Sequence, residues 1–216
     1  MKSTIKRRHF VLSVAAPALI LSLCAGARAQ NLLADAGFES GIMVPSGVGG
    51  WQSLNGASIS QDYAHGGVWS LKAPYFNNSN VGGVQIAAIT PGSVVQLSGW
   101  GFTPAPINGG LGLLGLIFLD ANQSAITMPQ FFYEAGRLDA GTPPQTWVFL
   151  SGQINAPMNA AYAEVIPSQF GGTPGSVLYF DDIALTTVPE PSVSLVATSA
   201  FGLLLAVRSR GKHALR

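Results

Sequence analysis

The residues in this chain best suited to chemistry are aromatic rings set beside side-chain amides. Tyr75 and Phe76 run straight into Asn77 and Asn78, with Asn80 two residues on and Trp69 a short way upstream. A sugar ring offers a CH-rich face that stacks on an aromatic plane and hydroxyls that pair with amides, so these residue types point to carbohydrate binding. Trp100, Phe102, Phe131, Phe132 and Tyr133, with Gln130 as a polar neighbour, widen the set. Trp51 and Trp147 stand where a folded core would take them. A loop holding two aromatics and several asparagines gains little from burial, which singles out Trp69, Tyr75, Phe76, Asn77 and Asn78 as ligand-binding residues.

Catalysis has fewer means. Of three histidines, His9 and His213 lie near the ends and only His65 lies between them, in an Ala-His-Gly turn that suits a loop. The chain has no Gly-x-Ser-x-Gly, no pair of metal-ligating histidines and no phosphate loop. Two carboxylates could still serve a glycosidase, which needs only the right separation in space. No residue is assigned a catalytic role, and the expectation is a protein that is not an enzyme.

The ends differ in kind from the middle. Lys2, Lys6, Arg7 and Arg8 precede an apolar stretch from Phe10 to Leu23 and then Ala27-Arg28-Ala29, the pattern of a signal peptide over residues 1–29 cut before Gln30. Arg7-Arg8-His9-Phe10 is similar to a twin-arginine export motif, but Lys6 stands where Ser or Thr is usual, so general secretion is the expected route. The single cysteine, Cys24, follows the bulky Leu23 and leaves with the signal peptide.

At the other end, Pro189-Glu190-Pro191 is followed by an apolar run over residues 192–207 and by Arg208, Arg210, Lys212 and Arg216. At about 1.5 Å per residue, that run falls just short of a comfortable span of a bilayer core of about 30 Å, and the cations behind it would stay on the cytoplasmic side. The order of motif, apolar helix and basic tail resembles the PEP-CTERM sorting signal over residues 188–216. That resemblance implies a Gram-negative bacterium that makes exopolysaccharide. It implies export through the inner membrane, transient anchoring there by the C-terminal helix, and cleavage near Pro189-Glu190-Pro191 by an exosortase-type enzyme. The product would end at the cell surface or outside the cell.

Between the ends the charge changes sign. Residues 30–187 hold two cations, Lys72 and Arg137, against nine acids, a net charge of −7 that the whole-chain value of +1 conceals. Nucleic acid and anionic lipid need clustered Lys and Arg, so neither is expected as a partner. With no cysteine this stretch cannot lean on disulfides, and its length suits one self-sufficient core.

Short runs rich in β-branched and aromatic residues recur between Gly, Pro, Asn and Ser clusters. Strands are expected at Ala57 to Gln61, Val68 to Ala73, Val84 to Ile89, Val94 to Phe102, Leu113 to Leu119, Trp147 to Ile154, Tyr162 to Ile166 and Val177 to Leu185. Alternation in Val95-Gln96-Leu97-Ser98 and Trp147-Val148-Phe149-Leu150-Ser151 sets one face to the core and one to water. Gly41 to Gly50, Thr103 to Gly112 and Ser168 to Gly175 are expected loops. The fold class is all-β, a sandwich.

Four pieces then come in a familiar order: Asn31-Leu32-Leu33-Ala34-Asp35-Ala36-Gly37-Phe38-Glu39, Trp51, Ala64-His65-Gly66-Gly67-Val68-Trp69-Ser70-Leu71-Lys72, and Tyr179-Phe180-Asp181-Asp182-Ile183-Ala184-Leu185. Together they resemble the carbohydrate-binding modules of the galactose-binding-like jelly-roll class. The resemblance implies a structural calcium held by Glu39 and Asp181, with Asp182 as a lesser ligand, and a polysaccharide as ligand. Calcium takes six to eight oxygens, so carboxylates suit it, and carboxylates brought together repel unless an ion or hydrogen-bond donors neutralise them. Three functions stay open: a glycan- or exopolysaccharide-associated binding protein, a structural surface protein with no sugar site, and a small glycosidase.

Overall fold

In the computed structural model, residues 29–77, 79–127 and 132–188 are described. Residues 1–28 of the expected signal peptide, the expected sorting motif Pro189-Glu190-Pro191 with its apolar run, Arg208 and Arg210, and also Asn78, Gln130 and Phe131, lie outside the described residues. Ten strands form: β1 Gln52–Leu54, β2 Ser58–Ser60, β3 Ser70–Pro74, β4 Asn80–Ala88, β5 Val94–Phe102, β6 Gly110–Leu119, β7 Tyr133–Leu138, β8 Val148–Asn155, β9 Tyr162–Gly171 and β10 Val177–Thr187. They make two antiparallel sheets of five, ordered β1-β4-β9-β6-β7 and β2-β3-β10-β5-β8.

The alternating residues set the layers. Val95 and Leu97 of β5, Leu114, Leu116 and Phe118 of β6, and Ala163 and Val165 of β9 all point into one core with Trp51 and Phe38, whose rings meet at 4.9 Å. Burying a side chain of this size stabilises by about 1.5–3 kcal/mol, so the sandwich is held by its two inner faces. β1 and β7 were not expected, and two loop expectations are corrected. β6 already begins at Gly110, and β9 runs on to Gly171 because Ser168 and Gln169 pair with both β4 and β6.

β10 carries one irregularity that decides the rest. Asp181 is opposite Trp100, but Ala184 is opposite Ser98, so one extra residue is accommodated between them. Asp182 takes the left-handed φ of 47° there. A bulge of this kind reverses the inward phase of a strand, returning Ile183 and Leu185 to the core. The opening segment lies along the same stretch, with Leu32 N donating to Leu185 O at 2.8 Å and Ile183 N to Ala36 O at 2.9 Å. The bulge thus brings the start and end of the sandwich together.

Candidate functional site

Three acids meet beside the β10 bulge. Glu39 follows the opening segment, and Asp181 and Asp182 come from β10. A side chain added at Gly37 would lie 3.3 Å from Asp182 Oδ1, 3.7 Å from Glu39 Cγ and 3.8 Å from Asp181 Oδ1. At Gly66 it would lie 2.7 Å from Asp182 Oδ2, and at Gly67 2.3 Å from the Glu39 carboxyl. Gly37 thus lies near all three acids, Gly66 against Asp182 and Gly67 against Glu39.

Backbone amides hold these carboxylates. Asp181 Oδ2 accepts from His65 N at 2.7 Å and Gly66 N at 3.1 Å, and its Oδ1 accepts from Asp182 N at 2.7 Å. Glu39 Oε1 accepts from Val68 N at 3.0 Å and Trp69 N at 3.1 Å. Asp181 is 0% exposed, and burial raises its pKa to about 6 against the pull of those amides, with Asp182 adding to the rise. The structure thus brings together the three acids that the sequence grouped, with hydrogen-bond donors on two of them. Among the described residues no three His, Cys, Asp or Glu side chains are arranged as a metal cage.

His65 joins this cluster to a second one. Its Nδ1 lies 2.7 Å from Asp182 Oδ2, while its ring stacks on Trp100 at 4.0 Å and 16° and meets Trp147 edge-on at 5.6 Å. Trp100 contacts Phe149 across the β5–β8 ladder at 5.1 Å, Phe102 contacts Trp147 at 5.1 Å, and Tyr63 lies 4.7 Å from Phe102. Parity explains the arrangement. Gln96, Ser98 and Trp100 of β5 stand opposite Gln153, Ser151 and Phe149 of β8, all on the face away from the core. The result is a strip of rings on an outer sheet face, with Phe149 54% and Tyr63 42% exposed.

The outer face of the other sheet is different in kind. Glu164 of β9 is opposite Ile86 on one side and Ile117 on the other, and burial raises its pKa.

Other residues singled out by sequence are dispersed. Trp69 and Tyr75 stand at opposite ends of β3, about 20 Å apart at some 3.3 Å per residue, so they cannot stack on one sugar. The Trp69 ring lies against Gly41. Phe76 is 52% exposed in a turn closed by Ser79 N to Phe76 O, with Asn77 in the left-handed region. Phe132 packs over Gly115, and Tyr133 donates to Gln153 O at 2.9 Å. Trp51 is buried as expected, but Trp147 is not a core residue, because its position just before β8 puts it on the outer strip. Phe149 and His65 were missed as site residues.

No protein-family model matches the chain, and no curated protein does. Solved structures do. The xylan-binding CBM22-1 domain of Paenibacillus barcinonensis Xyn10C superposes with a TM-score of 0.53 at 16% identity, covering 77% of this chain and 99% of that one. A family 16 carbohydrate-binding module gives 0.50 at 20% identity, covering 72% and 99%. The enzymatically active domain of tailspike protein 4 from bacteriophage CBA120 gives 0.53 at 16% identity, but the match covers only 21% of it. The chain has the jelly-roll sandwich fold of carbohydrate-binding modules.

Proposed function

We propose that this protein is an exported, non-catalytic glycan-binding protein of the cell envelope. In this reading, neutral polysaccharide lies on the aromatic strip at Phe149 and Trp147, beside the Trp100 ring that His65 covers. The observation that carries it is the strip itself. Rings left in water on a sheet face cost about 25 cal/mol per Å² relative to burial, and a pyranose face covers such rings without demanding charge. The net charge of −7 between residues 30 and 187 repels polyanions, which narrows the ligand to neutral chains. The likeness to xylan-binding and other carbohydrate-binding modules agrees with this reading in fold.

The same proposal covers the ends. Residues 1–29 direct export through the secretion machinery. The sorting motif Pro189-Glu190-Pro191, the apolar run and Arg208 and Arg210 give transient anchoring in the inner membrane and release by an exosortase-type enzyme.

Calcium belongs to the proposal through Glu39, Asp181 and Asp182. Hard carboxylate oxygens are the donors this ion takes, and Gly37 lies near all three acids, though backbone amides already occupy Asp181 and Glu39. When bound, it would neutralise the acids and fix the opening segment to β10.

The test is binding of the purified chain to xylan, galactan and purified exopolysaccharide, with calcium and with chelator. Retention on at least one polymer, weakened at least tenfold in Phe149→Ala, is expected. A folded protein that ignores every polymer would overturn the reading in favour of a structural surface protein.

A further inference from the structure

The turns at one end of the sandwich make an uncharged face, and the chain leaves the fold through it. Residues 89–93 join β4 to β5 and residues 156–161 join β8 to β9, and the two turns are tied by Gly92 N to Pro157 O at 3.4 Å and Ala156 N to Ser93 O at 2.9 Å. An open groove of about 380 Å³ runs between them and the end of β10, lined by residues 90–94, Met158, Thr187 and Val188. None of these carries a charge. Met158 is 81% exposed, more than any other large apolar side chain among the described residues, and it lies over Gly92, where an added side chain would fall 2.6 Å from its Sδ.

Such a face stands apart on an acidic domain. Residues 30–187 hold nine acids, yet the one acid in the turns described at this end is Asp120, after β6, whose Oδ1 accepts from Asn122 N at 2.8 Å and Ser124 N at 2.9 Å. An anionic lipid surface repels a net charge of −7, so this end is where the domain meets one at least cost.

Both terminal segments lead to the same end. Val188 N donates to Val94 O at 2.9 Å, so the fold holds the chain up to the residue before Pro189. Pro189, Glu190 and Pro191 alone separate it from the apolar run over residues 192–207. Four peptide steps reach at most about 14 Å, and the headgroup layer takes about 5–8 Å of that. The run, at about 1.5 Å per residue, is shorter than the bilayer core, which draws its start inward. At the other terminus Leu32 N donates to Leu185 O and Ile183 N to Ala36 O, an antiparallel pairing that carries Gln30 back toward the end of β10. A signal peptide ahead of Gln30 would leave the fold here too.

We propose that, while anchored, the domain stands on this end against the bilayer, with Met158, Pro91 and Val188 toward the headgroups. This orientation rests on the anchoring that the terminal segments supply in the reading above. The strip then stands clear of lipid. Trp100 lies six residues along β5 from Val94 and pairs with Phe149, so at about 3.3 Å per residue the rings are held roughly 20 Å above this face, open to polymer outside.

Fluorescence quenching decides the matter, on the full chain reconstituted in vesicles of phosphatidylethanolamine and phosphatidylglycerol and recovered by flotation. Cys24→Ser leaves no cysteine, and a bimane is then attached at Asn159→Cys, beside Met158, or at Thr173→Cys, exposed in the turn between β9 and β10 at the opposite end. A nitroxide on the lipid headgroups should quench the Asn159 label about threefold more than the Thr173 label, and Met158→Asp should lower that quenching by about half. Equal quenching at the two labels, on chains that float, overturns this orientation alone. Quenching that Met158→Asp leaves unchanged comes from the tether without the face, and overturns it too. Chains that do not float overturn the anchoring reading as well. No quenching by pure lipid, with a photoreactive side chain at Asn159 capturing a membrane protein in cells, would overturn the lipid contact and give the face to the processing enzyme.

Discussion

The acid clasp and the aromatic strip lie side by side and solve opposite problems. In the clasp, donors hold carboxylates at fixed positions: the buried Asp181 takes three backbone N–H groups and the exposed Glu39 two. In the strip, rings pack mainly on one another and Phe149 remains half in water. Buried polar groups left unpaired are costly, so the clasp tolerates little change. Exposed rings lose little when truncated, so the strip is free to serve a ligand. Structure and binding should therefore separate by mutation.

The largest effect should come from Gly67→Val. At φ 63° a β-branched residue is strained, and its Cβ would fall 2.3 Å from the Glu39 carboxyl. A loss of about 4 kcal/mol, read as a drop in Tm, is expected. An unchanged Tm would show that the clasp does not hold the fold.

Asp181→Asn should cost about 2 kcal/mol, since an amide oxygen accepts fewer N–H groups than a carboxylate. The pH dependence carries its sign. The folded form holds the Asp181 proton up to about pH 6, whereas the unfolded chain releases it near the ordinary 3.8. With chelator present, the Asp181 contribution to stability therefore falls as pH rises from about 4 to about 6 and is level above that. Melting curves of wild type minus Asp181→Asn read that contribution alone. Added calcium should reverse the trend, because a bound cation favours the carboxylate; identical curves with and without calcium would remove the ion from this site.

How much of this the sequence contained depends on which force set each feature. β5 matched its expected bounds, Val94–Phe102, because alternation over nine residues is a strong signal. β1, three residues long, and β7, with Glu134, Gly136 and Arg137, have no such pattern and exist only because a neighbouring strand pairs with them. The strip was legible in part. Trp147, Phe149 and Ser151 share a parity, and Ser151 marks that face as wet, yet bulk suggested that Trp147 was core. The grouping of the three acids came with the family resemblance, but their amide partners did not, since backbone donors leave no trace in residue types. His65 was beyond reach, because its place depends on contacts 116 residues away.

On the strip, Phe149→Ala and Trp147→Ala should each weaken polysaccharide binding at least tenfold, about 1.4 kcal/mol, while Tm moves little. Affinity gels and melting curves on the same preparations make the comparison direct. A variant that unfolds as it loses binding would mean that the strip is a structural element like the clasp.

The smallest effect tests whether the two regions are independent at all. His65 belongs to both, with its backbone N–H on Asp181, its Nδ1 on Asp182 and its ring over Trp100. Replacement by alanine keeps the backbone bond and removes the exposed side-chain pair, so stability should fall by less than about 1 kcal/mol. The face of Trp100 that the imidazole covers then opens, and an indole offers a larger stacking surface than the ring it loses. Binding should hold or tighten by a few-fold. A tenfold loss instead would make His65 itself a contact for the sugar, and the clasp, through Asp182, would then be what positions it.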